Sequence, residues 1–119
     1  MSTKIAVQAF LQDFKMKMNI YQILFRDDRG KNSQTLADLE LRPSDREKIL
    51  KELVITDYSE GPLEEKLYNG ADMWVFGKII KSKEIYIKIS MGISGSNVLC
   101  ISFHLAERPM HYPLKIELI

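Results

Sequence analysis

"EIYIKISMGISGSNVLCISFHLAE", residues 84–107, sets two stretches of alternating apolar and polar residues around a Gly/Ser/Asn loop, and its reading decides the fold. In an extended 84–91, Ile85, Ile87, Ile89 and Met91 share one face, while Tyr86, Lys88 and Ser90 share the other. In 98–105, Leu99, Ile101, Phe103 and Leu105 lie opposite Val98, Cys100, Ser102 and His104. The short loop between the stretches predicts an antiparallel hairpin. A one-residue slip would turn every side chain over, so burying both apolar sets together restricts the register to even sums of residue numbers. The central choice pairs Met91 with Leu99, Ile89 with Ile101, Ile87 with Phe103 and Ile85 with Leu105. It sets Tyr86 across from His104 and Lys88 across from Ser102, with Cβ atoms about 5 Å apart.

"MWVFGKII", 73–80, continues the β pattern and joins 84–91 on its other side. The loop "KSK" leaves two registers open. In one, Trp74, Phe76 and Lys78 face the same way as Tyr86; in the other, Met73, Val75, Gly77 and Ile79 do. The first is favoured because Met73, Val75 and Ile79 make an adequate core face and Lys78 would otherwise be buried. Lys78 then adjoins Tyr86.

Upstream the period changes. Val7, Phe10, Leu11, Phe14 and Met18 recur at steps of three and four, which predicts an amphipathic helix over 3–17. The β-formers Ile20, Tyr21, Ile23, Leu24 and Phe25 predict a strand over 20–26. Residues 26–32 read as a charged turn bent at Gly30 and Asn32, and 33–41 as a short helix pinned by Leu36 and Leu39. Ser44 and Glu47, after Pro43, have the spacing of a capping box, with Ile49, Leu50 and Leu53 as the buried stripe. Residues 57–72 read as a loop broken by Gly61-Pro62 and Asn69-Gly70, with room for one helical turn near 63–66. The tail "RPMHYPLK", 108–115, with two prolines, is expected to run extended along the surface. Helices first and strands last predict an α+β fold in one domain, 1–119, with the N-terminal helices packed on one face of a small antiparallel β-sheet.

Composition narrows the class. The chain has 119 residues, 45% hydrophobic and 28% charged, which fits a globular domain with a substantial core. No apolar run approaches the roughly 20 residues of a membrane span, and early Lys, Asp and Gln residues do not suit a signal peptide. One cysteine allows no internal disulfide and fits a reducing, cytoplasmic setting; no Cys/His cluster suggests a metal site. A net charge of +1 predicts no nucleic-acid binding by itself, but residues 73–119 hold six Lys/Arg against three Asp/Glu.

The polar face of the hairpin has the parts for phosphate chemistry. An imidazole takes or gives a proton near neutral pH, and a neighbouring phenol orients or donates. Lysines stabilise the charge that builds on a pentavalent phosphorane. Together these suffice for metal-independent RNA cleavage by the ribose 2′-OH, with an exposed Trp74 or Phe76 available to stack a base. No HExxH, Gly-rich phosphate loop or nucleophile elbow supports a rival enzyme class. Cys100 is expected to be a small buried residue, His111 structural or incidental, and Arg26, Arg29 and Lys31 a solvated turn.

The series "DYSEGP…MWVFGK…EIYIKISM…VLCISFH" resembles the C-terminal half of MqsR-like toxins of bacterial type II toxin–antitoxin systems, within the RelE-like group, over roughly residues 50–105. Its carriers are the Tyr86-x-Lys88 strand, Trp74 opening the strand before it, and a last strand ending Ser102-Phe103-His104. The resemblance implies a small cytoplasmic endoribonuclease, or mRNA interferase, that cuts single-stranded mRNA, free or on the ribosome, without a cofactor or metal, and is inhibited by a cognate antitoxin protein. It makes Tyr86 the active-site tyrosine and puts His104 where better-known members carry a lysine. Val75 stands where such toxins often have Gln, and Glu60 where a lysine is expected. The expected site is therefore His104, Tyr86, Lys88 and Lys78 for catalysis, with Trp74, Phe76 and Glu60 toward RNA. The competing class is a non-catalytic protein-binding module of a regulatory complex.

Overall fold

The computed structural model describes residues 3–27, 30–64 and 71–115. Among them the order is α1 (Thr3–Ile20), β1 (Ile23–Phe25), α2 (Gly30–Asp38), α3 (Asp45–Lys51), a 3-10 turn (Ile55–Asp57), β2 (Tyr58–Leu63), β3 (Met73–Ile80), β4 (Lys83–Ser90) and β5 (Val98–Leu105). The fold is α+β, and the described strands form one five-stranded sheet in the order β1-β5-β4-β3-β2. The pairs among β2, β3, β4 and β5 are antiparallel as expected, and the sheet is mixed only because β1 lies parallel to β5. All the elements from α2 to β4 lie between these two strands in the chain, which is ample for a parallel crossover.

The five apolar residues that define the helical period of α1 are all buried. They form one cluster with Phe76, Ile85, Ile87, Ile89, Cys100 and Phe103 of the sheet. α1 runs to Ile20, so the strand expected over 20–26 shrinks to three residues.

The α3 start differs from its expected cap. Ser44 makes no side-chain capping bond. The Asp45 carboxylate instead accepts from the Arg42 backbone N–H at 2.9 Å and its guanidinium at 3.2 Å. Arg46 is buried beside Leu50, its guanidinium forked onto Asp27 at 2.7 and 2.9 Å and lying 3.8 Å from the Phe25 ring centre. Bidentate pairing and a π face make burial of that charge tolerable.

The segment expected to be a loop contains β2, which passes through Gly61-Pro62 with two irregularities in its pairing to β3. β2 is an edge strand, where a missing proline N–H costs no ladder bond. Asn69-Gly70 and residues 65–66 of the supposed helical turn lie outside the described residues, and Leu63 at its start ends β2.

Two hairpin details place the site. The β3–β4 turn has only Lys81 and Ser82 between the paired Ile80 and Lys83, both with positive φ (50° and 68°). That is the conformation of a type I′ turn, usually signalled by Asn-Gly, so "KSK" gave no register cue. β4 and β5 pair as expected from Ile85–Leu105 to Lys88–Ser102, then shift, so that Ile89 faces Cys100 and Ser90 faces Leu99. Ile101 is the extra residue of a β-bulge. Beyond it the parity reverses: Val98 and Cys100 are fully buried in the core, and Leu99 turns outward, contrary to the expected alternation. Four successive apolar residues, Val98 to Ile101, carry no parity signal of their own.

Candidate functional site

The sheet has one face under α1 and an outer face that carries the candidate site. Gly77 pairs with Tyr86 and Val75 with Lys88, so Val75 and Gly77 share the outer face with Tyr86. The favoured β3 register is thereby corrected. Trp74, Phe76 and Lys78 pair with Ile89, Ile87 and Ile85 and lie on the core face. Trp74 stacks on Phe10 with ring centres 4.8 Å apart, and Phe76 is fully buried. Neither can stack a base beside Tyr86. Lys78 is on the far side of the sheet, paired with Asp57 at 3.0 Å. The premise that Lys78 would be buried on the core side fails, since its side chain there stays partly exposed and meets that carboxylate.

The hairpin pair stands as expected. Tyr86 lies across from His104 and Lys88 across from Ser102. The phenol and imidazole stack with centres 5.2 Å apart and planes 13° from parallel. Nδ1 of His104 is 3.0 Å from the Leu105 carbonyl oxygen. A carbonyl only accepts, so Nδ1 carries a proton and Nε2 is the basic atom of the neutral ring. Burial, and secondarily the Glu60 charge, pushes the Tyr86 pKa above its ordinary value, which keeps the phenol a donor through neutral pH.

The tail after β5 roofs this face. The Ala106 N–H donates to the Glu84 carbonyl at 2.9 Å, the Met110 N–H to Glu84 Oε1 at 3.0 Å, and the Tyr112 hydroxyl to Glu84 Oε2 at 2.6 Å. One carboxylate thus ties the strap at two points around His111. The strap comes so close that a Cβ on Gly77 would lie 2.3 Å from the Tyr112 hydroxyl and 2.9 Å from the Met110 sulfur. Glycine is required there by close approach of another segment.

Sheet and strap enclose a cleft of about 590 Å³. Tyr86, Lys88, Ser102 and His104 form its floor, Ser59 and Glu60 of β2 one side, Lys31 of α2 another, and residues 106–111 its roof. Lys31 and Glu107 pair at 2.9 Å across exposed side chains, and the ammonium group holds that carboxyl below its ordinary range. Beyond this pair, toward α2, lies a second hollow of about 500 Å³ that also touches Lys31, His104 and Glu107. Clefts of this size take one or a few residues of a polymer.

Of the expected residues, the cleft brings together His104, Tyr86, Lys88 and Glu60; it excludes Lys78, Trp74 and Phe76. It adds Lys31, expected in a solvated turn, Arg108, expected in a tail along the surface, and His111, expected to be structural or incidental. A glycine in the middle of an apolar strand was the available signal that something packs on that face. Cys100 is fully buried, and burial pushes its thiol far above the ordinary value, so it is no nucleophile here.

Among the described residues, no group of three or more His, Cys, Asp or Glu side chains gathers around a common point to bind a metal ion. Nor, among them, is any helix long and apolar enough to cross a membrane. No family model, curated protein or solved structure matches this chain.

Proposed function

We propose that the cleft is the active site of an endoribonuclease that cleaves single-stranded mRNA by attack of a ribose 2′-OH on the adjacent phosphate. The observation that carries this reading is the stacked Tyr86–His104 pair, 5.2 Å apart, on the floor of a cleft lined by Lys88, Lys31 and Arg108. In the step proposed, Nε2 of His104 takes the 2′-OH proton. The 2′-oxygen bonds to phosphorus, the bond to the 5′-oxygen breaks, and the products carry a 2′,3′-cyclic phosphate and a 5′-hydroxyl. Lys88 and the protonated Tyr86 phenol hold the non-bridging oxygens as their charge grows. A phenolic ring also favours the imidazolium that forms, stacked against it.

In this reading Glu60 is a reader of base N–H groups and not a phosphate ligand, since its carboxylate repels the backbone. The biological role that fits such chemistry is the toxin of a type II toxin–antitoxin pair, cytoplasmic and restrained by a cognate protein. RNA cleavage tests the reading. His104→Ala should slow turnover about 10²–10⁴-fold. Unaltered turnover in that variant would refute the assignment. Absence of turnover by the wild-type protein at any excess over RNA would leave the cleft a binding surface for a protein partner.

A further inference from the structure

We infer that His111 is the second proton-transfer group of this cleft, the general acid that protonates the departing 5′-oxygen. The inference rests on the nuclease reading and extends it to a residue on a separate segment. Cyclising transfer moves two protons, one off the 2′-oxygen and one onto the 5′-oxygen. An alkoxide is a poor leaving group at neutral pH, so a group placed opposite the base speeds the step. Tyr86 shares the floor and the ring stack with His104, so it lies on the base's own side. His111 is on the strap that follows β5, a separate segment from the Tyr86–His104 pair, and both imidazoles line the one cleft.

Its placement is built. Glu84 binds the chain on either side of it, through the Met110 N–H at 3.0 Å and the Tyr112 hydroxyl at 2.6 Å. The bare backbone of Gly77 gives Met110 and Tyr112 the room to seat. A proline precedes and another follows, at 109 and 113, which limits the conformations the strap can take.

The other charged and titratable groups around the two rings are Lys31 of α2, Glu60 of β2, Tyr86 and Lys88 of β4, and Glu107 and Arg108 of the strap, with Glu84 of β4 and Tyr112 clamping the strap beside His111. During the step, Nε2 of neutral His104 gains the 2′-proton and protonated His111 gives one to the 5′-oxygen; exchange with water then resets both. No oxidant or co-reactant is needed.

A substrate with sulfur in place of the bridging 5′-oxygen tests this role, because a thiolate leaves without a proton. With an ordinary oligoribonucleotide, His111→Ala should lose about 10²-fold or more in rate. With the 5′-thio substrate, the same variant should come within about fivefold of wild type, whereas His104→Ala should stay slow on both. The acidic shoulder of the bell-shaped profile should remain in His111→Ala and the alkaline shoulder should vanish. Equal losses of His111→Ala on both substrates would mean that it merely holds the strap and would overturn the inference, as would no loss on either. Those results leave the nuclease reading standing. Failure of wild type to cleave either substrate would overturn both.

Discussion

The two faces of this sheet are built by different means. The face under α1 is assembled from Phe10, Phe14, Phe76, Ile85, Ile87 and Phe103, large apolar side chains of α1, β3, β4 and β5. The outer face carries Tyr86, Lys88, Ser102 and His104, and is closed by an irregular strap held through Glu84. Burial of apolar area supplies the energy for folding. The outer face has few such groups, and its order comes from hydrogen bonds, a close-approach glycine and the bulge at Ile101. Away from Gly77 and the Glu84 clamp, polar positions on the outer face can therefore change at smaller cost than the large apolar residues of the core face.

Substitutions on the two sides should separate accordingly. Phe103→Ala, at a fully buried site under the helices, should cost about 3–5 kcal/mol by denaturant unfolding. A loss below about 1 kcal/mol would mean that the two faces do not differ as described.

The boundary between α2 and β5 should come next. Asn32 is buried; its amide donates to the Arg26 carbonyl at 2.9 Å and its oxygen accepts from the Phe103 N–H at 3.0 Å. Thr35 similarly accepts from the Leu105 N–H at 2.9 Å. α2 thereby satisfies the length of β5 that the three-residue β1 does not reach. Asn32→Leu keeps the branching of the side chain and removes the bonds, so it should cost about 2 kcal/mol or more, the penalty for stranded backbone groups. Equal stability would show that water replaces the side chain.

Gly77→Ala sharpens the contrast further. The added methyl group collides with Tyr112 and Met110, so overpacking should cost about 1–2 kcal/mol. Limited proteolysis should now cut the strap between Ala106 and Lys115 while the rest of the chain stays resistant. RNA turnover should fall with it. A strap as resistant as in wild type would contradict the roofed cleft.

The smallest effect concerns alkaline pH. Tyr86, Tyr112 and Cys100 have folded pKa values raised by burial above the ordinary 10.0 and 9.0. The unfolded chain therefore loses these protons first as pH rises. Stability is complete below about pH 9 and is lost progressively above it. Replacing Cys100 with Ala and Tyr112 with Phe should flatten that decline, measured as midpoint denaturant concentration from pH 8 to 11.

The legibility of the two faces in the sequence follows from the same contrast. Period 3.6 in α1 and period 2 in 84–91 name the core, because burial on one side imposes a period. Tyr86 and His104 are found as neighbours because Ile85, Ile87, Phe103 and Leu105 pin that half of the hairpin. The other half slips by one residue at Ile101, where Val98, Leu99, Cys100 and Ile101 are all apolar. Trp74, Phe76 and Lys78 are misplaced because an aromatic pair suits either face, and only Asp57, distant in sequence, makes Lys78 acceptable on the core side. His111 is missed because the strap has no period at all. Its position depends on Glu84 and Gly77, tertiary partners that local pattern does not reveal.

The most direct measurement of the central claim uses one RNA strand carrying a single cleavage site, incubated in EDTA, with the product ends read by mass. Wild type should yield a 2′,3′-cyclic phosphate and a 5′-hydroxyl, and no cut when the one attacking 2′-hydroxyl is replaced by hydrogen. Cleavage of that deoxy-substituted strand at an unchanged rate, or loss of wild-type cleavage on chelation, would contradict the proposed step.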